Sequence, residues 1–74
     1  MDITLLKRGE RGIVQSVSSA APLKERLRSL NIRPGASVLL VKTSFFKKTF
    51  LVQAGGSLIA LRKEVATCVS VKKA

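Results

Sequence analysis

The chain has 74 residues, with fourteen Lys and Arg against four Asp and Glu, a formal charge of +10. That length holds one small domain, residues 1–74, and leaves no room for a catalytic cleft between two. Hydrophobic residues make up 46% of the chain, the level of a globular domain, which argues against disorder despite the charge. The sequence has no His, Trp or Tyr, and its acids, Asp2, Glu10, Glu25 and Glu64, are scattered beyond a helical turn of one another. Acid–base catalysis therefore lacks its groups, and a binding or regulatory module is favoured over an enzyme.

In chain order, Met1–Leu6 reads as a short first strand ending in the Lys7-Arg8-Gly9 turn. An apolar patch ahead of the charges is the reverse of a secretory signal. The longest aliphatic runs, such as Val38 to Val41, fall far short of the ~20 residues that span a bilayer. Gly12–Val17 is β-branched and partly alternating, a second strand. Residues 18–21 form a loop, and Pro22 suits the first position of a helix. Leu23, Leu27 and Leu30 then form one apolar stripe, with Glu25 early and Arg26 and Arg28 late, the order the helix dipole prefers. Asn31 tolerates the left-handed conformation that ends a helix, and Pro34-Gly35 marks a tight turn.

Ser37–Lys42 is a strand apolar on both faces. A hairpin over Ser44–Thr49 leads to Thr49–Ala54, which alternates with Phe50, Val52 and Ala54 on one side and Phe50 in the core. Gly55-Gly56 is a hairpin turn and Ser57–Arg62 the return strand. Glu64–Ala66 is one helical turn, Thr67–Val71 the last strand, and Lys72-Lys73-Ala74 a frayed basic tail. The pattern predicts a mainly β fold, a small SH3-like five-stranded barrel with one short helix inserted after the second strand.

The lone Cys68 allows no internal disulfide, which places the chain in the cytoplasm by default. In a strand it reads as buried core, and without His or clustered carboxylates no metal site and no cofactor are expected. The glycines match no phosphate-binding spacing. Arg62 and Lys63 beside Glu64 read as a strand-end ion pair, worth ~0–1 kcal/mol. Lys7, Arg8 and Arg11 surround the first turn, and Lys24, Arg28 and Arg33 flank the helix. These form either a plain solvated surface or an electropositive face that steers an acidic partner. Phe45-Phe46-Lys47-Lys48 is the most unusual stretch. Adjacent aromatics in a strand point to opposite faces, so either the loop folds back and covers both rings, or, the favoured reading, one ring stands in the open beside two lysines as a contact hook.

Taken in order, Leu6-Lys7-Arg8-Gly9-Glu10-Arg11-Gly12-Ile13-Val14, Leu23-Lys24-Glu25-Arg26-Leu27, Leu30 to Val38 with its Pro34-Gly35 turn, and Ile59 to Ala66 with its Ala60-Leu61-Arg62 element form a series. The series resembles the ferrous iron transport protein A (FeoA) family over nearly the whole chain. Asn31 stands where that family usually has glycine, the Ser44–Thr49 hairpin lacks the family's Gly- and Pro-containing tip, and +10 is a high charge for it. The resemblance implies a cytoplasmic SH3-like accessory protein; apart from it, the Lys and Phe residues allow, as a weaker reading, a peripheral association with the inner face of the membrane. The accessory protein's partner would be the membrane ferrous iron transporter FeoB, which carries a cytosolic GTPase domain. The basic face and the Phe45-Phe46 hairpin would meet an acidic surface there. The alternative is a basic barrel that binds nucleic acid; the charge favours it, and 4% aromatic residues give no stacking platform. A core this thin leaves self-association open.

Overall fold

Alternation of apolar and polar residues sets the strands. The computed structural model describes the backbone of residues 1–74 and every side chain except that of Phe45. The described residues form β1 (Arg11–Val17), α1 (Ala21–Ser29), β2 (Ser37–Thr43), β3 (Thr49–Ala54), β4 (Ser57–Arg62), α2 (Lys63–Ala66) and β5 (Val69–Lys73). A 3₁₀ turn at Ile3–Leu5 and a kinked, partly left-handed turn at Phe45–Lys47 complete the chain. All strand pairs are antiparallel, in the order β4-β3-β2-β1-β5. The sheet bends at register shifts between Val14 and Ser16 and between Leu40 and Lys42, where one extra residue increases the local twist. The turn α2 packs on β3, β4 and the N-terminal 3₁₀ turn, and that turn packs on β5. The curled sheet is thereby closed between its outer strands.

The core is wholly apolar among the described residues. Phe50, Val52 and Ala54 of β3 face Val14, Val38, Leu40, Leu61, Val69 and Val71, with Leu27 and Ile32 covering from the helix side. Leu23 of the helix stripe packs only partly, and Leu30, the C-cap, is exposed. Asn31 takes the left-handed conformation at φ 67°, and the chain turns back into β2 through Gly35 at φ 91°. The two hairpin glycines, Gly55 and Gly56, both have positive φ, as a tight two-residue hairpin requires.

Four expectations are corrected. Met1–Leu6 is not a ladder strand. Asp2 accepts hydrogen bonds from the Thr4 amide and the Thr4 hydroxyl, which caps a 3₁₀ turn, and Asp2 itself makes only a bridge to Ser70. The helix consequently follows the first ladder strand, not the second. Nor is Lys72-Lys73 a frayed tail. Both lysines extend β5 opposite Ile13 and Gly12, because ladder hydrogen bonds do not require apolar side chains. Finally, β5 begins at Val69 and not at Thr67. The Thr67 hydroxyl and the Cys68 thiol both donate to the Glu64 carbonyl, at 2.9 and 3.3 Å, and prolong the end of α2. Cys68 is therefore half-buried in a turn, not a core strand residue.

Candidate functional site

With no polar or charged side chain buried among the described residues, the excess cations all lie outside. Where they gather is decided by β2. Its seven residues span about 20 Å, in a molecule 29 Å in its longest extent. At the Ser37 end stand α1 and the Pro34 turn; at the Thr43 end stands the β2–β3 hairpin.

At the helix end, Lys24, Arg28 and Arg33 line one concave groove with Glu25 and Pro34, over a floor of Val17 and Ile32. Pro34 and Gly35 fix this groove to the sheet, since the Gly35 amide donates to the Val14 carbonyl at 2.8 Å. Arg11 and Arg33 line an adjoining groove with Asn31, Ser37 and the Gly55-Gly56 turn. The Arg11 guanidinium also donates to the Ser37 hydroxyl, at 3.2 Å.

The hairpin end is built differently. Ser44 and Thr49 close it: the Ser44 amide donates to the Thr49 carbonyl at 2.9 Å, and the Thr49 amide to the Ser44 hydroxyl at 3.0 Å. Between them the chain turns through two successive left-handed residues, Phe46 at φ 64° and Lys47 at φ 54°. Phe46 is thrown outward and is 88% exposed. On one side, Lys47 joins Lys7, Arg8 and Lys42 around a groove that includes Leu5. On the other, Lys48 joins Arg62 and Lys63, with Glu64 and Phe46, around a second. Leu5 is itself 63% exposed.

Nine of the ten residues singled out in the sequence are thus brought together as two groups at opposite ends of β2. Lys7, Arg8, Phe46, Lys47 and Lys48 meet at the hairpin; Lys24, Arg28 and Arg33 meet at the helix, with Arg11 beside them. The expectation of an exposed ring holds at Phe46, while the side chain of Phe45 lies outside the described residues. Sequence reasoning missed Lys42 and Leu5 and gave Arg62 and Lys63 only a structural role. The register β2 to β3 and β3 to β4 is what carries these residues to the tip, with Thr43 opposite Phe50 and Thr49 opposite Arg62. The ion pair foreseen at Arg62–Glu64 is not among those of the described residues, which form Lys73–Glu10 at 3.2 Å. The Glu10 carboxylate also accepts from the Lys7 amide at 2.6 Å, and this bond, with Lys73 beside it, holds the carboxyl below its ordinary pKa. No group of three or more His, Cys, Asp or Glu side chains comes together among the described residues.

The FeoA domain model matches residues 1–73. The chain belongs to the FeoA family. It therefore belongs among proteins linked to ferrous iron transport. The FeoA protein of Chlorobium tepidum superposes with a TM-score of 0.92 at 26% identity, over 99% of this chain and 70% of that one. The zinc complex of FeoA from Stenotrophomonas maltophilia, described as a prokaryotic SH3-domain protein, superposes with a TM-score of 0.84 at 30% identity, over 97% and 89%. A manganese-dependent transcriptional repressor shares the fold alone, at 20% identity and a TM-score of 0.86, over all of this chain and 36% of that one. No curated protein matches the sequence. This chain has no histidine, and among the described residues Cys68 joins no group of three or more His, Cys, Asp or Glu side chains. Among the described residues no helix is long and apolar enough to cross a membrane.

Proposed function

We propose that this FeoA-family chain is a binding module of ferrous iron uptake that docks on the cytosolic part of the membrane transporter FeoB. The match over residues 1–73 carries the reading. The helix-end groove is the surface best suited to a folded protein partner. It is concave, it has an apolar floor in Val17 and Ile32, and its cations Lys24, Arg28 and Arg33 are mixed with an acid, Glu25. Mixed charge around an apolar centre gives orientation as well as attraction. The cations steer an acidic surface into place, and the floor then excludes water from the contact. Docking would shift the transporter toward whichever of its conformations the module binds better, by the ratio of the two affinities and no more. The chain then works on the cytoplasmic face of the membrane, on iron only through its partner.

Titration of the isolated cytosolic part of the transporter tests this. The native chain is expected to bind with an affinity that falls as salt rises. Lys24→Glu with Arg28→Glu is expected to weaken binding on the order of a hundredfold, by replacing two attractions with two repulsions. An unchanged affinity in that variant refutes docking through the groove.

A further inference from the structure

The hairpin end is unlike the groove. An aromatic ring stands at its tip, 88% exposed, with a groove on either side. The cations around it, Lys42, Lys47, Lys48, Arg62 and Lys63 with Arg8 beyond, share one sign, with Glu64 the acid that lines this end. Leu5 adds a second exposed apolar side chain on the Lys47 side. Phe46 lines the groove it shares with Lys48, Arg62, Lys63 and Glu64, yet its ring stands largely exposed above it. A bilayer surface needs no matching concavity. It presents a plane of negative headgroups above an apolar interior, so a protruding ring within a circle of long cationic side chains fits it.

The backbone supplies an independent observation. The two hairpins on either side of β3 both pass through two consecutive left-handed residues. The β3–β4 turn does so with Gly55 and Gly56, which adopt that conformation freely. The β2–β3 turn does so with Phe46 and Lys47, which adopt it only under strain. The strain forces the ring and the ammonium outward, and Ser44 and Thr49 clamp the turn from below. Strained residues retained at an exposed tip mark side chains used outside the fold.

We infer that the β2–β3 hairpin tip is a docking surface for an anionic lipid bilayer, with Phe46 entering the headgroup layer and the surrounding lysines and arginines bound over it. This goes beyond the docking on FeoB and uses the opposite end of β2. A module held at both ends would meet its transporter already oriented against the membrane.

Co-sedimentation with vesicles tests it, because the vesicles contain no transporter and the result is independent of the docking reading. Vesicles of phosphatidylcholine mixed with phosphatidylglycerol are expected to bind the chain, and vesicles of phosphatidylcholine alone are not. Each cation near an anionic surface strengthens binding about fivefold, so Lys47→Ala with Lys48→Ala is expected to lose on the order of twentyfold. Phe46→Ala is expected to lose about tenfold. Lys24→Ala with Arg28→Ala, at the helix end, is expected to lose less than threefold or so, which separates the tip from the diffuse field of the whole molecule. Circular dichroism confirms that each variant is folded. The proposal is overturned if the mixed vesicles fail to bind the chain, or if the two lysine pairs lose equally. It is also overturned if Phe46→Ala loses nothing, or if an oligonucleotide displaces the chain and depends on Phe46 in the same way.

Discussion

Gly55→Ala should be among the most damaging single-methyl additions this fold can receive, and the reason lies on the helix. A Cβ at position 55 would stand 2.2 Å from Nδ2 of Asn31, 2.8 Å from its Cγ and 3.0 Å from its Cβ. Rotating the Asn31 side chain clears the first two contacts but not the third, since a Cβ moves only with the backbone. That backbone is itself fixed at φ 67° at the end of α1. Gly55 is also left-handed, at φ 58°, so the alanine carries about 1–2 kcal/mol of conformational strain before any clash. An off-rotamer Asn31 adds about 0.5–1.5 kcal/mol. The loss comes to roughly 2–3 kcal/mol out of a total near 4–11 kcal/mol for a domain of this size.

Urea unfolding followed by far-UV circular dichroism is the assay, since the chain has no Trp or Tyr to report by fluorescence. With a slope of about 1 kcal/mol per molar, the midpoint should fall by about 2–3 M. Asn31→Gly distinguishes the two contributions, because it removes the clash and itself suits a positive φ. In that background Gly55→Ala should cost only its conformational strain, leaving a coupling of about 1 kcal/mol between the sites. A full loss in both backgrounds would show that Asn31 is not what the new methyl meets. A loss under about 0.5 kcal/mol in the native background refutes the reasoning altogether. The pair also matters for function: Asn31, Gly55 and Gly56 line the groove that holds Arg11 and Arg33, so the clamp that fixes the helix end to the sheet also positions its cations.

Two further outcomes follow from the core and from the one described ion pair. Phe50 is 1% exposed near the start of β3, and Phe50→Ala should cost about 3–5 kcal/mol, a large share of a total near 4–11 kcal/mol. Thermal unfolding should find that variant's midpoint far below the native one, with Phe50→Leu falling much less; a Phe50→Ala midpoint close to the native one would contradict the assigned core. Glu10 has a folded-state pKa lowered by the Lys7 amide first and by Lys73 second, so its stabilisation is present above the ordinary value of 4.5 and is lost as pH falls through the lowered one. Glu10→Gln should flatten that acid limb, and a variant whose stability falls with pH in parallel with the native chain shows that another carboxylate sets it.

Much of the fold was written in residues whose type or spacing favours a particular local geometry. Asn31 before Pro34-Gly35, Gly55-Gly56 between two alternating runs, and Phe50, Val52 and Ala54 at a period of two all specify geometry locally. Met1–Leu6 misled because Ile3 and Leu6 are as apolar as a strand requires. The deciding groups were polar ones, the Asp2 carboxylate and the Thr4 amide and hydroxyl, which outbid a ladder over so short a segment. Lys72 and Lys73 misled in the opposite sense, since β pairing next to Gly12 and Ile13 is a backbone matter that composition does not record. The candidate site was legible as residues and not as a surface. Nothing in the spacing of Lys47 and Lys48 tells that they face different grooves, or that Arg62 and Lys63 arrive beside the second through the register of β4 on β3.

The two hairpins of β3 differ in what their turns cost. Both must turn the chain through two left-handed residues, and glycine does so at no steric cost. Phe46 and Lys47 do so at about 1–2 kcal/mol each, in a domain whose whole stability is of the order of 4–11 kcal/mol. Burial recovers little of that cost, because Phe46 is 88% exposed and Lys47 is exposed beside it. Replacing Lys47 by glycine would therefore make the isolated domain more stable while removing a cation from its most prominent surface. That trade is the measurable signature of the docking role proposed for the tip: Lys47→Gly should raise the unfolding midpoint and weaken binding to anionic vesicles.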